Sequence, residues 1–529
     1  MTQDEIGKTA TKAQTNRFSQ FFAWAVAGLF VAGFFVPPIG VWTGPVLGAW
    51  FVGTQRPWRG FQWMMTLTFI PSLASHGRML AAAGPVGAVE TFGWMLLASL
   101  LMVLPFTVHR LVGLRVSGPL STLALPLAAT ASQWLALPLL PPAIFSAFSV
   151  SQIPLSSATL LQVSAVFGVA ALTFLTHWFA ATLVWMWNLE FRRERVAVGA
   201  MTLAAVFAFA AGLGLVRQFT GAPLPDALPA GTALAWVCLA GVIGLGGWAL
   251  FHREKRPRWA EQQETVALLR SPATGDALYV EDAGGQETLV STSGERFPVR
   301  DGIPDFRRPD DLTGDNGKYN HLYQTIGGFY DDTQRVACAL KGLDRDEYFL
   351  AYMRKLEVKA GDRVLETSVG TGLSFKYLPQ GAQLSGLDLS AEMLANCRRN
   401  LRLWQMEADL YLGNAESLPF ADASFDVVFH VGGISFFNDQ GKAIREMIRV
   451  ARPGSLLLIS DETEEYAQKT YERIPITSSY YKNRKKAVTI PVDLVPAEME
   501  EIQVEMIKGG LFYAITFRKP GDGSLSRTQ

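Results

Sequence analysis

Long apolar runs fill the first 252 positions of the chain, and shorter alternating runs fill the remainder. Eight of the long runs approach the ~20 residues that a helix needs to cross a bilayer, at 18–36, 39–54, 60–76, 86–108, 118–140, 158–188, 197–217 and 229–251. This pattern predicts an all-α polytopic domain over 18–252, then a linker over 253–265. From about Lys318, strand and helix patterns alternate, the mark of a parallel sheet covered by helices on both faces. An α/β Rossmann-like domain is therefore expected over 318–519, with a small β segment at 266–317 before it and a tail at 520–529 after it.

Charge agrees with this division. Hydrophobic residues reach 49% and charged residues only 18%, and the net charge is zero. That zero joins two unlike halves: residues 1–260 hold 16 Lys and Arg against 7 Asp and Glu, whereas 261–529 hold 31 against 40. Within the apolar half, 14 of the 16 basic residues fall on alternate loops, FRRER and HREKRPR among them, and only Arg78 and Arg217 fall on the others. By the positive-inside rule residues 1–17 form a cytoplasmic tail, both termini face the cytoplasm, and the chain is multi-pass in the inner membrane. The three cysteines, Cys238, Cys338 and Cys397, have no ligand or disulfide spacing, which excludes a disulfide-built secreted fold.

Ionisable or polar residues within or near the spans are His76, Arg78, Glu90, Gln133 and His177. His76, Arg78 and Glu90 fall near an outer boundary, where long side chains reach water. The segments FFVPPIGVW, PPAIFSAFSVSQIPL and LLQVSAVFGVAALTFL resemble the membrane part of apolipoprotein N-acyltransferase. That family carries a nitrilase-like catalytic domain between its last two helices. Here only RQFTGAPLPDALPA occupies that gap, and Gln133-Trp134 stands where a Glu-Trp pair is expected. The resemblance implies a related helical scaffold and argues against N-acyl transfer.

The stretch 268–306 closes on FPVRDGIPDF and resembles small zinc-ribbon modules that accompany some methyltransferases. Ser271, Thr274, Val290 and Ser293 occupy the four cysteine positions. None supplies a thiolate, so a metal-free β-ribbon packed on the next domain is expected.

GDRVLETSVGTGLSF (361–375) joins an apolar strand, an acidic end, a glycine turn and an expected helix start. Gly370 and Gly372 remove side chains that would keep a ligand from the backbone. N–H groups at a helix start would hold the carboxylate of an amino-acid-like ligand. A second strand ends in Asp388, placed to accept from a ribose hydroxyl pair. A third ends near Asn414 and Glu416, ASFDVVFHVGGISFF supplies a fourth, RVARPGSLLLISDE a fifth, and a hairpin turns at Gly509-Gly510. In this order the elements resemble a class I S-adenosylmethionine-dependent methyltransferase, nearest the ubiquinone/menaquinone and phosphatidylethanolamine branches. The resemblance implies S-adenosyl-L-methionine as cofactor, with Glu366, Ser368, Gly370 and Gly372 at its methionine end. It places Asp388 at the ribose, Leu389 and Met393 beside the adenine, and Asn414 and Ala415 at the adenine edge. Ser368 replaces the usual first glycine and Asn414 a common aspartate.

A sulfonium methyl is already activated, so the protein mainly aligns a nucleophile with it. Candidates around the mouth are Tyr319, Tyr323 and Tyr330, His430 as a base for an ammonium acceptor, and Asp461 with Glu462. SSYYKNRKK (478–486) reads as a basic loop for an anionic membrane surface or a solvated one. Together the halves imply methylation of a membrane lipid or lipid-linked acceptor at the cytoplasmic face, an aminolipid headgroup first and an isoprenoid quinone second. A membrane-delivered peptide or lipoprotein is the alternative acceptor, and a non-catalytic S-adenosylmethionine-binding scaffold the non-enzyme alternative. No nucleic-acid partner is expected.

Overall fold

The computed structural model describes residues 37–82, 84–113, 118–142, 158–189, 227–251, 258–340, 345–470 and 487–521, with isolated positions between them. The chain divides at Glu254/Lys255 into two compact units.

In the first unit, apolar helices form α1 (Pro37–Thr54), α2 (Pro57–Ala82), α3 (Gly84–Gly113), α4 (Ala124–Leu139, entered through a 3₁₀ turn), α5 (Ala158–Asn188) and α6 (Ala227–Phe251). Four segments are long and apolar enough to cross a membrane: Gly84–Gly113, Gly118–Leu139, Ala170–Asn188 and Thr232–Ala249. The expected spans at 18–36 and 197–217 lie outside the described residues, apart from isolated positions in the second. Small and apolar residues such as Met95, Ala98 and Val103 of α3 face inward. Leu96, Leu100 and Leu104 of the same helix, and Val237 and Ile243 of α6, face outward. Arg78, expected in a loop, lies within α2. Glu90 lies in the second turn of α3, where its carboxylate accepts from the Trp94 indole at 3.3 Å. Gln133 accepts a hydrogen bond from Thr173, a polar link between α4 and α5.

The second unit starts earlier than the sequence pattern suggests. Trp259, expected in a linker, is buried and packs 5.7 Å from Tyr411. Four antiparallel strands follow, β1 (Leu278–Ala283), β2 (Gln286–Ser291), β3 (Arg296–Arg300) and β4 (Ile303–Pro304). They share their apolar core with the larger sheet: Leu269, Leu289, Phe297 and Phe306 pack in one cluster with Leu387, Tyr411 and Phe420. Backbone links from Phe306 N to Leu412 O (2.7 Å) and Ala421 N to Leu268 O (2.7 Å) complete the join. Around the turns of this small sheet, hydroxyls and a carboxylate bond to one another. Ser271 and Thr274 donate to Glu295, the hydroxyls of Ser291 and Ser293 lie 3.0 Å apart, and Glu295 N donates to Ser291 at 2.9 Å.

The large sheet has the order β10-β11-β9-β8-β5-β6-β7. Its parallel part comprises β5 (Arg363–Thr367), β6 (Gln383–Asp388), β7 (Asp409–Leu412), β8 (Val427–Val431) and β9 (Leu456–Glu462). The hairpin β10 (Glu500–Ile507) and β11 (Phe512–Arg518) adds antiparallel to β9. Because β5 pairs with both β6 and β8, the strand order reverses there, and ligands of such sheets bind at that point beyond the strand ends. Helices α7 (Gly314–Ile326), α8 (Tyr330–Leu340) and α9 (Arg345–Met353) precede β5; α10 (Ala391–Trp404), α11 (Gln440–Val450) and α12 (Glu464–Thr470) follow β6, β8 and β9. Helix α7 starts at Gly314, four residues before the expected boundary. No α-helix starts at the glycine turn: Leu373–Tyr377 is a single 3₁₀ turn that ends at an extended Leu378, before Pro379. A residue ahead of proline disfavours the α region, which explains the early stop.

The polar knot of the ribbon is open to test. Glu295→Ala strands the buried Ser271 hydroxyl at a cost of about 1–3 kcal/mol. For a body of this size that lowers Tm by at least about 2 °C. Calorimetry of the purified protein should show this shift, whereas a zinc chelator should leave the wild-type transition unchanged.

Candidate active site

The site is built on the turn that follows β5. Ser368, Gly370 and Gly372 all have left-handed backbone, at φ 69°, 54° and 78°. A serine at that φ costs about 1–2 kcal/mol relative to glycine, yet the turn keeps its course because its amides are tied down. Ser368 N and Val369 N both donate to Leu387 O, at 2.7 and 2.9 Å. Gly370 N donates to Asp388 Oδ2 at 2.8 Å, and Ser390 N to Asp388 Oδ1 at 2.8 Å. Each aspartate oxygen keeps lone-pair capacity for a further donor. Burial raises the Asp388 pKa to about 6, against the lowering effect of these backbone donors. A Cβ on Gly372 would meet Cys397 Sγ at 2.6 Å, so this glycine serves packing beneath the turn.

Glu366 lies next to the end of β5 in the core of the sheet. Its Oε1 accepts from Ser374 at 2.8 Å, and its buried Oε2 has no hydrogen-bond partner in the protein. Burial pushes its pKa well above the ordinary carboxylate range, and the Ser374 bond offsets only part of that.

A cavity of about 220 Å³ opens above the turn, with Glu366, Ser368, Gly370, Asp388, Leu389 and Met393 along its floor. Its other wall is aromatic. Asn316, Tyr319, Asn320 and Tyr323 fall at helical spacing along one face of α7, and Tyr330 and Gln334 extend that wall from α8. Tyr319 stacks on Phe436 at 4.3 Å between ring centres, Tyr481 meets Phe436 edge-on at 5.1 Å, and Tyr323 meets Tyr330 edge-on at 5.9 Å. Glu462 and Lys508 also reach the cavity. Burial, then neighbouring charges that include Glu462, holds the phenols of Tyr323, Tyr330 and Tyr481 above their usual pKa, so they stay neutral.

Five expected site residues lie elsewhere. Gly372 is beneath the turn, as described. Asn414 donates to Asp311 at 2.9 Å and accepts from Glu416 N at 3.0 Å, and Ala415 is packed in the core. His430, expected at the mouth, sits within β8 beside Ile459 of β9 and is fully buried. Its Nδ1 lies 3.2 Å from Thr367 Oγ1, and burial lowers its pKa. Neighbouring Val431 points into the cavity, so strand alternation turns His430 away and removes it as a base for the acceptor. Asp461 is also committed: it accepts from Gly433 N (2.9 Å), Glu462 N (2.9 Å) and Ser435 N (3.2 Å), and so shapes the loop after β8. Tyr480 and Tyr481, assigned by sequence to a surface loop, are buried against Tyr319 and Phe436; the basic residues after them lie outside the described residues. Phe436 and Tyr481 escaped the sequence reading. The α7 face was legible in principle from the Asn316, Tyr319, Asn320, Tyr323 spacing.

Sheet order and glycine turn define a Rossmann-like methyltransferase domain. Residues 365–459 match the family model described as a methyltransferase domain. Over 102 residues the chain is 38% identical to demethylmenaquinone methyltransferase of Renibacterium salmoninarum, covering 19% of this chain and 41% of that protein. It is 39% identical over 105 residues to phthiotriol/phenolphthiotriol dimycocerosates methyltransferase 1 of Mycobacterium ulcerans, covering 19% and 38%. It is 40% identical over 104 residues to malonyl-[acyl-carrier protein] O-methyltransferase of Erwinia pyrifoliae, again covering 19% and 38%. The chain thus spans about four-tenths of the length of these relatives.

The floor fits the cofactor. Glu366 offers an unbonded carboxyl oxygen for an ammonium, Asp388 offers acceptors for vicinal hydroxyls, and Gly370 has no Cβ to obstruct the approach. When bound, S-adenosylmethionine supplies a methyl group on a sulfonium; the chain's residues orient it and exclude water.

Two outcomes follow from these carboxyls. Asp388→Ala should weaken cofactor binding at least about tenfold, through loss of charge-assisted hydrogen bonds. Burial shifts Glu366 toward its protonated form, and an arriving ammonium favours the carboxylate. Binding should therefore release a proton and weaken as pH falls through about 6, where Asp388 also protonates. Titration calorimetry in buffers of different ionisation enthalpy reads that proton directly, and a buffer-independent enthalpy would contradict it.

Proposed function

We propose that this protein is a membrane-anchored S-adenosylmethionine-dependent methyltransferase acting on a lipid or lipid-linked acceptor, an aminolipid headgroup first. The observation that carries this reading is the single cavity in which the cofactor floor faces an aromatic chamber containing Glu462. Aromatic faces attract a cation, and a carboxylate among them adds a charge partner. Glu366, Asp388 and Glu462 reach the same cavity, with Lys508 as the cation among its lining residues. That balance suits an amine better than an anionic acceptor. Glu462 and the tyrosines then orient the amine toward the cofactor methyl; with His430 and Asp461 turned away, the acceptor must arrive deprotonated or lose its proton to water or Glu462.

Membrane association rests on the four long apolar helices and on their outward-facing leucine, valine and isoleucine side chains. With the basic residues segregated as they are, the N-terminus, the C-terminus and the methyltransferase unit lie on the cytoplasmic side. An isoprenoid quinone is the second reading, favoured by the likeness to demethylmenaquinone methyltransferase and by the apolar chamber. The cofactor site is proposed as Glu366, Ser368, Gly370, Asp388, Leu389 and Met393, with Tyr330 facing the acceptor.

The test is to supply the intact protein with radiolabelled S-adenosylmethionine and total membrane lipid, then identify what carries label. Labelled aminolipid supports the first reading, labelled quinone the second, and label in neither with cofactor bound overturns both. A fragment starting at Arg258, which retains buried Trp259, should bind cofactor equally well. It should methylate vesicle-borne acceptor at least about tenfold more slowly, because attachment raises the local concentration of a membrane-held substrate. Equal rates would leave the helices without a part in the reaction.

A further inference from the structure

The aromatic wall and the glycine turn belong to different parts of the chain, and a small buried polar cluster joins them. Asp331, in the first turn of α8 beside Tyr330, is 5% exposed. Its Oδ1 accepts from the Thr371 hydroxyl at 2.6 Å, and its Oδ2 from Asn400 Nδ2 at 2.7 Å. The same Asn400 amide donates to Thr371 O at 3.0 Å. Thr371 lies between Gly370 and Gly372, so the carboxylate reaches directly into the cofactor turn. One helical turn before Asn400, Asn396 donates to Gly327 O at 2.7 Å. The two asparagines share one face of α10, as an i, i+4 pair does. The chain passes so close there that a Cβ on Gly327 would lie 3.0 Å from Glu392.

We propose that Asp331 is a positioning residue that couples the aromatic lid, residues 314–340, to the glycine turn, so that cofactor binding also sets the acceptor chamber. This rests on the cofactor assignment of that turn. A buried carboxylate is tolerated only while its donors are in place. Movement of the turn by an ångström or two breaks the Thr371 and Asn400 contacts together, and the lid then loses its fixed relation to the floor. Tyr330 is the adjoining residue, so the acceptor wall shifts with it. Conversely, a cofactor that holds Gly370 and Thr371 in place holds the carboxylate's donors in place as well. Apolar packing alone would keep the lid on the unit but would not report the state of the turn.

Hydrogen–deuterium exchange on the intact chain separates these possibilities. Thr371→Val keeps the side-chain shape and the backbone carbonyl and removes only the hydroxyl. Without ligand, amides of 314–340 should exchange at least about tenfold faster than in wild type, and those of the ribbon strands should be unchanged. Wild-type exchange in the lid overturns the clip. With S-adenosylhomocysteine, wild type should be protected in both turn and lid, and the variant in the turn alone. Lid protection that persists in the variant overturns the coupling. Absence of turn protection in wild type counts against the cofactor reading instead, and the ligand-free comparison still decides the clip. Thr371→Ser should restore wild-type lid exchange. Should Thr371→Val loosen the ribbon too, Asp331→Asn replaces it, and a lid that stays slow there overturns the proposal.

Discussion

The hydrogen bond from Gly370 N–H to Asp388 is the contact on which the rest of the active site depends. It crosses from the end of β5 to the end of β6 and closes a turn whose backbone passes through left-handed conformations at three of five residues. Without that acceptor the turn would have to find another way to satisfy its amides, and the space above it would change shape. The same carboxylate lines the cavity. One side chain therefore supports the backbone and faces the cavity, which ties the geometry of the turn to the protonation state of Asp388.

A second theme is the reach of hydrogen-bonded polar networks. The small antiparallel sheet is tied by Ser271, Thr274, Ser291, Ser293 and Glu295 and joins its core to that of the larger sheet. Asn414 keeps its loop by bonding to Asp311 and to Glu416 N, and Glu416 in turn accepts from Asn316 at the foot of the aromatic lid. Such networks are strong when every member is satisfied and weak when one is missing.

The parallel strands, the terminal hairpin and the floor residues Glu366, Ser368, Gly370, Asp388, Leu389 and Met393 were all legible in the sequence, because they follow local rules: strand, turn, acidic end. His430 and Asp461 were misplaced for the opposite reason. A polar residue near a strand end can face either side of the sheet, and nothing local says which. Val431 and Glu462 took the cavity side, and their neighbours took the other. Tyr481 was hidden because its partners, Tyr319 and Phe436, are far away in sequence. The expected helix after the glycine turn stops at Leu378, because Pro379 holds the residue before it in an extended conformation. Within the apolar half, length and composition identified the helices, whereas their polar contacts, Gln133 with Thr173 for example, depend on how helices are paired.

The outer strand of the terminal hairpin bears on how copies of the protein share a surface. Residues 500–506 of β10 are exposed along one open edge of the seven-stranded sheet, with Ile502, Val504 and Met506 uncovered. An edge of that kind invites strand-to-strand addition. The strand, however, is kinked by a register shift between Glu500 and Gln503, where Glu501 takes φ 53°, and it carries Glu500, Glu501 and Glu505. A bulged edge lined by charged pairs, Glu501 with Arg518 and Glu505 with Lys355, is a poor template for another strand. Two such edges would meet bulge to bulge, and the sheet would stay finite where a flat edge would begin to polymerise.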